Sequence, residues 1–287
     1  LKGIILAGGS GSRLFPITKV YSKQLVIIYD KPLIYYPLSV LMLGGIKEIL
    51  IISNKNTIPL FRQLFGTGSH LGLSIEYALQ EVPRGIAESF IIGEKFINGD
   101  NVVLILGDNI FYGSLNFFYN SLQNNRGATI FGYQVKDPQR YGIVEFDKEG
   151  TAISIEEKPE LPKSNFAVPG IYVYNNDVIK ISKNLKPSAR GELEITDVNR
   201  KYLERGQLKV EKIRRGVAWL DTGTPEALLL ACNFIGIIEQ RQGFKVGCIE
   251  EIAFRMGFIS RSNFESLIDS QPKCSYRQYL ERLLLDS

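Results

Sequence analysis

Short apolar runs recur along the first half of the chain, each closed by Gly, Asn or Asp: GIILA from Gly3, EILIIS from Glu48, VVLIL from Val102 and ATIFGY from Ala128. Their hydrophobicity is continuous rather than alternating, which predicts strands covered on both faces. Between them, apolar residues at helical spacing predict amphipathic helices over 33–43, 57–65, 87–96 and 115–123. Strand and helix in alternation is the pattern of βαβ units around a mainly parallel sheet.

Past Pro138 the texture changes. YGIVEFD, AISIEEKP and VPGIYVYN read as short strands separated by tight turns, an inserted lobe of hairpins. GELEITDVNRKYLERGQ is acidic at its start, basic near its end and closed by Gly206, as the dipole of a helix favours. Strand-like LKVEKI and GVAWLD follow, then a long helix over Pro225–Gln242 with proline in its first turn, and short helices from Phe254 onward. The expected fold is therefore α/β: a Rossmann-like three-layer sandwich with a mainly parallel mixed central sheet, an inserted β-hairpin lobe and C-terminal helices. With no repeat, low-complexity stretch or linker visible, residues 1–287 read as one domain in three parts, 1–135, 136–224 and 225–287.

Composition narrows the chemistry. A net charge of +4 without a dense Lys/Arg run gives no nucleic-acid footprint. No basic, apolar leader opens the sequence and no apolar run approaches bilayer length, so a cytoplasmic protein with no membrane partner is expected. Three widely spaced cysteines, Cys232, Cys248 and Cys274, suit neither a disulfide framework nor a zinc site. The single histidine, His70, sits among Gly and Ser and reads as a loop residue, which leaves little room for histidine-based nucleophilic catalysis or a multi-histidine metal site.

GIILAGGSGSRLFPITK, from Gly3, puts a glycine-rich turn after the first strand, at the edge of the sheet where open α/β proteins bind ligands. It is not a dinucleotide fingerprint, because Leu14 stands where the third glycine belongs, and not a P-loop, because Ser12 and Arg13 follow Gly11. Four small residues from Gly8 to Gly11 followed by the Arg13 guanidinium suit a triphosphate; a structural turn with an exposed arginine reads the same way. Lys23 is a second cation, of the kind that phosphate transfer gathers from separate loops. Asp108 ends the VVLIL strand and Asp221 ends the GVAWLD segment, positions suited to Mg²⁺, while turn and helix capping remain the plainer alternatives. Glu157 and Lys158 precede Pro159. Neighbours in an extended strand face opposite ways, so both join one site only if the chain turns there.

Taken together, KGIILAGGSGSRL, SKQL, YDKPLIYYPLSVLMLGGIKEILIIS, LGDNIFYG, RYGIVEFD, EEKP, KPSARGELEITDVNRKYLERG and WLDTGT closely resemble the glucose-1-phosphate thymidylyltransferases over essentially the whole chain. LAGGSGSRL alone marks only the wider sugar-nucleotide pyrophosphorylase family. The resemblance implies a Mg²⁺-dependent reaction of dTTP with α-D-glucose 1-phosphate, giving dTDP-glucose and pyrophosphate by in-line attack on the α-phosphorus, in a cytoplasmic homotetramer. It implies nucleotide binding by residues 1–135 and sugar binding by 136–224. Gly8, Gly9, Gly11, Ser12 and Arg13 would then hold the triphosphate, and Lys23 the departing pyrophosphate. Gln80 would read the thymine edge and Gly85 give the base access to backbone. Asn109, Gly142, Glu157, Lys158, Tyr172 and Arg190 would contact the sugar phosphate, and Asp108 and Asp221 the metal. Arg13, Lys23 and Lys158 form the implied catalytic set.

The chain also departs from the family pattern. Val26 and Ile27 replace a usual Leu-Pro pair, Pro169 replaces a usual threonine beside the expected sugar pocket, and Ser114 to Phe117 replace a His-containing acidic stretch near the family's regulatory nucleotide site. Two other readings stay open. A UTP enzyme of the same architecture, or one taking another sugar 1-phosphate, shares the base edge that Gln80 would read. A catalytically silent nucleotide-sugar-binding homologue would lack one of Arg13, Lys23, Asp108 and Asp221, and all four are present.

Overall fold

The alternation of side chains along the central strands sets two apolar cores on opposite faces of the sheet, and a third, smaller cluster joins Leu14, Leu33, Tyr36 and Ile110 to Leu228 and Ile235. In the computed structural model, which describes residues 1–9, 11–123 and 125–285, the strands are β1 (Lys2–Leu6), β2 (Ile27–Ile28), β3 (Lys31–Pro32), β4 (Glu48–Ser53), β5 (Ser74–Leu79), β6 (Val102–Leu106), β7 (Asn109–Tyr112), β8 (Ala128–Gln134), β9 (Gly142–Phe146), β10 (Ala152–Glu157), β11 (Phe166–Ala167), β12 (Ile171–Tyr174), β13 (Leu208–Lys212) and β14 (Ala218–Asp221). Ile5, Ile49, Ile51, Val103, Ile105, Ile171 and Val173 face one core. Their neighbours Ile4, Leu50, Ile52, Val102, Leu104, Tyr172 and Tyr174 face the other. Both faces of the sheet are thus apolar, as the continuous runs require.

Helices cover each face. The first core takes Leu38 of α1 (Tyr35–Leu43), Phe61 of α2 (Ile58–Phe65) and Phe118 of α5 (Asn116–Gln123), with Ala253, Phe264 and Leu280 from three helices near the C-terminus. The second takes Phe90 of α3 (Glu88–Ile92), Ile97 of α4 (Glu94–Ile97), Val178 of α6 (Asp177–Lys183) and Tyr202 of α7 (Ile195–Glu204). The chain continues through α8 (Pro225–Gln242), α9 (Ile249–Arg255), α10 (Arg261–Ser270) and α11 (Ser275–Leu285).

The ten-stranded sheet runs β10-β9-β11-β8-β12-β6-β1-β4-β5, with β13 added to β8. β5, β4, β1 and β6 pair in parallel. β12 enters antiparallel between β6 and β8, and β9, β10 and β11 form the antiparallel lobe expected after Pro138. A separate two-stranded ladder, β7 with β14, binds the end of the lobe-bearing half back to the strand end of β6.

Three details differ from the expected elements. The helix over 87–96 is divided at Gly93 into α3 and α4, and Gly93 packs so close to the central strand that a side chain there would stand 3.0 Å from Ile4 Cδ1. β5 and β7 escape the apolar-run signal: β5 is an edge strand of mixed polarity and β7 is short. The C-terminal helices begin at Ile249 rather than near Phe254. Among the described residues no helix is long and apolar enough to cross a membrane. The three cysteines are free thiols.

Candidate active site

The parallel strands deliver three of the expected residues to one edge. β1 ends before Gly8, β5 before Gln80 and β6 before Asp108. Gly107 donates its N–H to the Leu6 carbonyl (2.9 Å), Gln80 its N–H to Ser53 (2.8 Å), and Ser53 its hydroxyl to the Ala7 carbonyl (2.8 Å), which stitches these strand ends together. Gln80 is 3% exposed, and its carboxamide lies on Gly8: a methyl group there would stand 2.4 Å from Gln80 Oε1.

The glycine-rich loop does not continue as an α-helix. Gly11 adopts the left-handed conformation (φ 60°) and opens a 3₁₀ turn over Ser12–Leu14, with Leu14 buried and Ser12 and Arg13 exposed. Thr18 Oγ1 donates to the Gly11 carbonyl (3.0 Å), folding the following turns back over the loop. A side chain at Gly11 would press on Thr18 and on Lys23 Cβ. Ser10 of this loop lies outside the described residues.

Lys23, almost buried, donates to Asp108 Oδ2. Asp108 Oδ1 accepts from Asn109 Nδ2 (2.9 Å), and Asn109 Oδ1 accepts in turn from the Gly170 N–H (3.1 Å) and Trp219 Nε1 (2.5 Å). The β7–β14 ladder places Asp221 opposite Asn109, so two carboxylates meet beside the end of β6. Thr222 Oγ1 donates to the Asp108 carbonyl (2.8 Å), whereas Thr224 caps α8 by accepting from the Ala227 N–H (3.2 Å). Capping therefore falls to Thr224. Gly223 gives the Arg13 guanidinium its seat: a methyl group there would stand 3.0 Å from Arg13 Nη2 and 3.1 Å from Asp221 Oδ1. Arg140 Nη2 reaches Asp221 Oδ2 at 3.3 Å. Burial pushes the Asp221 carboxyl above the usual carboxylate range, and the charge of Asp108 adds to the shift against Lys23, Arg140 and Arg13. A carboxylate whose ionisation is opposed by burial and by a neighbouring carboxylate favours a cation beside it.

Glu157 and Lys158 both line the cavity, and the reason is a backbone turn. Lys158 has φ 44°, a conformation rare outside glycine, and its N–H donates to the Tyr141 carbonyl (3.0 Å). Glu157 Oε2 accepts from Thr196 Oγ1 (2.5 Å), while Oε1 lies 3.4 Å from Arg190 Nη2 and 3.7 Å from Lys158 Nζ. Arg190 is braced by Glu194, which accepts from its Nη2 (2.9 Å) and from Ser188 Oγ (2.7 Å). A side chain at Gly142 would stand 3.3 Å from Glu157 Oε2. Tyr172 is buried between the strands, and burial raises its hydroxyl pKa, with Glu157 and Asp108 adding to the shift.

These groups line one cavity of about 440 Å³. Of the expected residues it brings together Arg13, Asp108, Asn109, Gly142, Glu157, Lys158, Tyr172 and Asp221. Lys23 and Arg190 join through ion pairs to Asp108 and Glu157. Gly8, Gly9, Gly11, Ser12, Gln80 and Gly85 do not line it; they belong to the adjoining strand-end loops. Gly85 (φ 102°) is required by packing, since a side chain there would collide with the Leu193 backbone. Pro169 is buried between Val168 and Gly170, which line the cavity while it does not. Sequence reasoning missed Arg140, Thr196 and Trp219; the RYG triplet before β9 was the available signal for Arg140. His70 is exposed on the Ser69–Leu71 turn and does not line the cavity.

A profile of the nucleotidyl transferase family matches residues 2–236. Glucose-1-phosphate thymidylyltransferases of Neisseria meningitidis and Mycobacterium tuberculosis are 54% and 52% identical to the chain, each alignment covering 99% of both partners. A crystal structure assigned as the Bacillus anthracis glucose-1-phosphate thymidylyltransferase, in complex with a sucrose, superposes with a TM-score of 0.76 at 42% identity, over 81% of this chain and 94% of that one. A UDP-glucose pyrophosphorylase complexed with UDP-glucose gives 0.72 at 25% identity, over 84% and 99%. On its sequence, its fold and the residues gathered at its strand ends, the chain belongs to the nucleotidyl transferase family and, within it, to the glucose-1-phosphate thymidylyltransferases.

Proposed function

We propose that the chain transfers a thymidylyl group from dTTP to glucose 1-phosphate, releasing pyrophosphate and forming dTDP-glucose. The observation that carries this reading is the cavity in which paired strand-end carboxylates, Asp108 and Asp221, stand among Arg13, Lys23, Arg140 and Lys158. Phosphoryl chemistry of this kind needs positioning and charge neutralisation more than a protein nucleophile, and these groups supply both. Arg13 and Lys23 hold the triphosphate and stabilise the departing pyrophosphate. Lys158 and Arg190 orient the sugar phosphate so that its oxygen attacks the α-phosphorus in line. Asn109, Gly142, Glu157 and Tyr172 shape the sugar side. Gly8, Gly9, Gly11 and Ser12 bring backbone close to the phosphates, Gln80 reads the base and Gly85 keeps backbone open beside it.

The donor set fits a hard divalent cation. Mg²⁺ is commonly held by one or two carboxylates with the rest of its shell from phosphate and water. Asp108 and Asp221 would hold it, and when bound it neutralises phosphate charge. The same reading divides the labour between residues 1–135 for the nucleotide, 136–224 for the sugar and 225–287 for the helical end. It also places the protein in the cytoplasm as a homotetramer. The exposed Leu230 and Ile237 of α8 are apolar surface that association would cover.

Pyrophosphate release from a panel of nucleoside triphosphates and sugar 1-phosphates, with and without Mg²⁺, tests the proposal. The dTTP and glucose 1-phosphate pair with Mg²⁺ should lead the panel. A clear preference for UTP would overturn the thymidylyl assignment.

A further inference from the structure

Glu88, at the start of α3, is not among the residues assigned to the site above, yet its carboxylate touches the one side chain assigned to the base. Glu88 Oε2 accepts from Gln80 Nε2 at 2.8 Å and from the Arg84 N–H at 3.2 Å. A carboxylate at neutral pH only accepts, so the Gln80 amide must present its NH₂ end to Glu88. The nitrogen and oxygen of a carboxamide are otherwise interchangeable in shape, and their order is set by such partners. Here the order is fixed by chemistry. Gln80 Oε1 is left facing Gly8, and among the described residues none donates a hydrogen bond to it. One Nε2 hydrogen is also left over.

We infer that Glu88 is a specificity-determining positioning residue that locks the Gln80 amide in the orientation suited to an imide-bearing pyrimidine. The inference rests on the proposed role of Gln80 as base reader. In the locked orientation Oε1 accepts from a ring N–H while the spare Nε2 hydrogen donates to a ring carbonyl, the pattern that thymine and uracil share. Cytosine presents an acceptor nitrogen where the ring N–H would be and an amino group where the carbonyl would be. Both contacts become mismatched, and a buried polar mismatch discriminates far more strongly than a missing methyl group. Glu88 thus selects between pyrimidine classes without selecting between dTTP and UTP.

The same carboxylate ties the 81–87 loop through Arg84, so a purely structural role has to be separated from an orienting one. Loss of a structural tie lowers turnover of every nucleotide alike; loss of orientation changes the ratio between them. The test is kcat/KM for dTTP and for dCTP, each with glucose 1-phosphate, in the full-length protein. Glu88→Ala should lower the dTTP:dCTP ratio at least tenfold. Glu88→Gln should keep most of it, because the amide oxygen still takes both donors. Gln80→Ala should also collapse the ratio, and the Gln80→Ala/Glu88→Ala double variant should fall no further, since Glu88 acts only through Gln80. Glu88→Met, which preserves side-chain length, repeats the measurement if the alanine variant does not fold. A ratio unchanged by Glu88→Ala or Glu88→Met but collapsed by Gln80→Ala would overturn the inference and leave the reading of Gln80 standing. Additive losses in the double variant would also overturn it. A ratio untouched by Gln80→Ala would overturn the reading of Gln80, and the role of Glu88 with it.

Discussion

Asp221 is the register partner of Asn109 in the β7–β14 ladder, and this pairing sets it beside Asp108 although the two aspartates lie far apart in sequence. The ladder is short, but Thr222 and Trp219 secure it through hydrogen bonds to the Asp108 carbonyl and the Asn109 amide. The pair is therefore held by backbone as well as by side chains. We expect Asp108→Asn and Asp221→Asn each to lose roughly 10²–10³-fold in Mg²⁺-dependent kcat/KM. Folded stability should be preserved in Asp221→Asn, because the substitution removes a half-buried charge facing a like charge. Near wild-type activity in either variant would show that its carboxylate is not needed.

Lys158 holds a left-handed backbone conformation to bring its side chain to the cavity beside Glu157. An L-residue there costs about 1–2 kcal/mol that glycine does not incur, partly offset by the entropy glycine retains in the unfolded chain. Lys158→Gly should therefore leave stability to denaturant unchanged or slightly raised while kcat/KM falls. A marked loss of stability would contradict the strain argument.

Gly8 has no room for a side chain, because Gln80 Oε1 occupies its open face. Gly8→Ala should displace the Gln80 amide and raise KM for dTTP by about tenfold, equivalent to about 1.4 kcal/mol, with a smaller change in kcat. Steady-state kinetics at saturating glucose 1-phosphate measures this, and an unchanged KM would refute it.

Behind the site, Lys31 is buried against Asp30 and Glu239, and Lys245 bridges the same two carboxylates. Glu239 also accepts from the Val246 N–H at 2.8 Å. Glu239→Ala leaves a buried lysine short of a partner and should cost about 3 kcal/mol in urea unfolding. Burial pushes the Asp30 carboxyl up, but hydrogen bonds and charge from Lys245 and Lys31 outweigh it and hold it below the usual value. A depressed carboxyl contributes stability above its unfolded pKa and loses it as pH falls through the folded one. Asp30→Asn should therefore be less stable than wild type at neutral pH, and the gap should close as pH drops below about 4. A gap independent of pH would contradict this.

Much of this site was legible because position at a strand end is written in sequence. GIILA, VVLIL and GVAWLD each stop at a residue that the fold brings to the same edge, so Gly8, Asp108 and Asp221 could be picked out individually. Their juxtaposition could not, since it depends on β7 pairing with β14, and β7 is too short to announce itself. Arg140, Trp219 and Thr196 escaped for a related reason: each acts through a partner distant in sequence, Asp221, Asn109 and Glu157 respectively. Glu157 and Lys158 were legible as a conditional, both in one site only if the chain turned, and the positive φ of Lys158 is that turn. The break at Gly93 was invisible because glycine is tolerated inside a helical pattern, and only the contact with Ile4 reveals why glycine stands at this position.

The most direct test of the account follows pyrophosphate and sugar nucleotide together in one reaction. With dTTP, Mg²⁺ and excess enzyme, pyrophosphate should appear only after glucose 1-phosphate is added, and in equal amount to dTDP-glucose. Pyrophosphate released from dTTP without the sugar phosphate would indicate hydrolysis or a nucleotidyl-enzyme intermediate, and would contradict direct attack within the cavity bounded by Arg13, Asp108, Lys158 and Asp221.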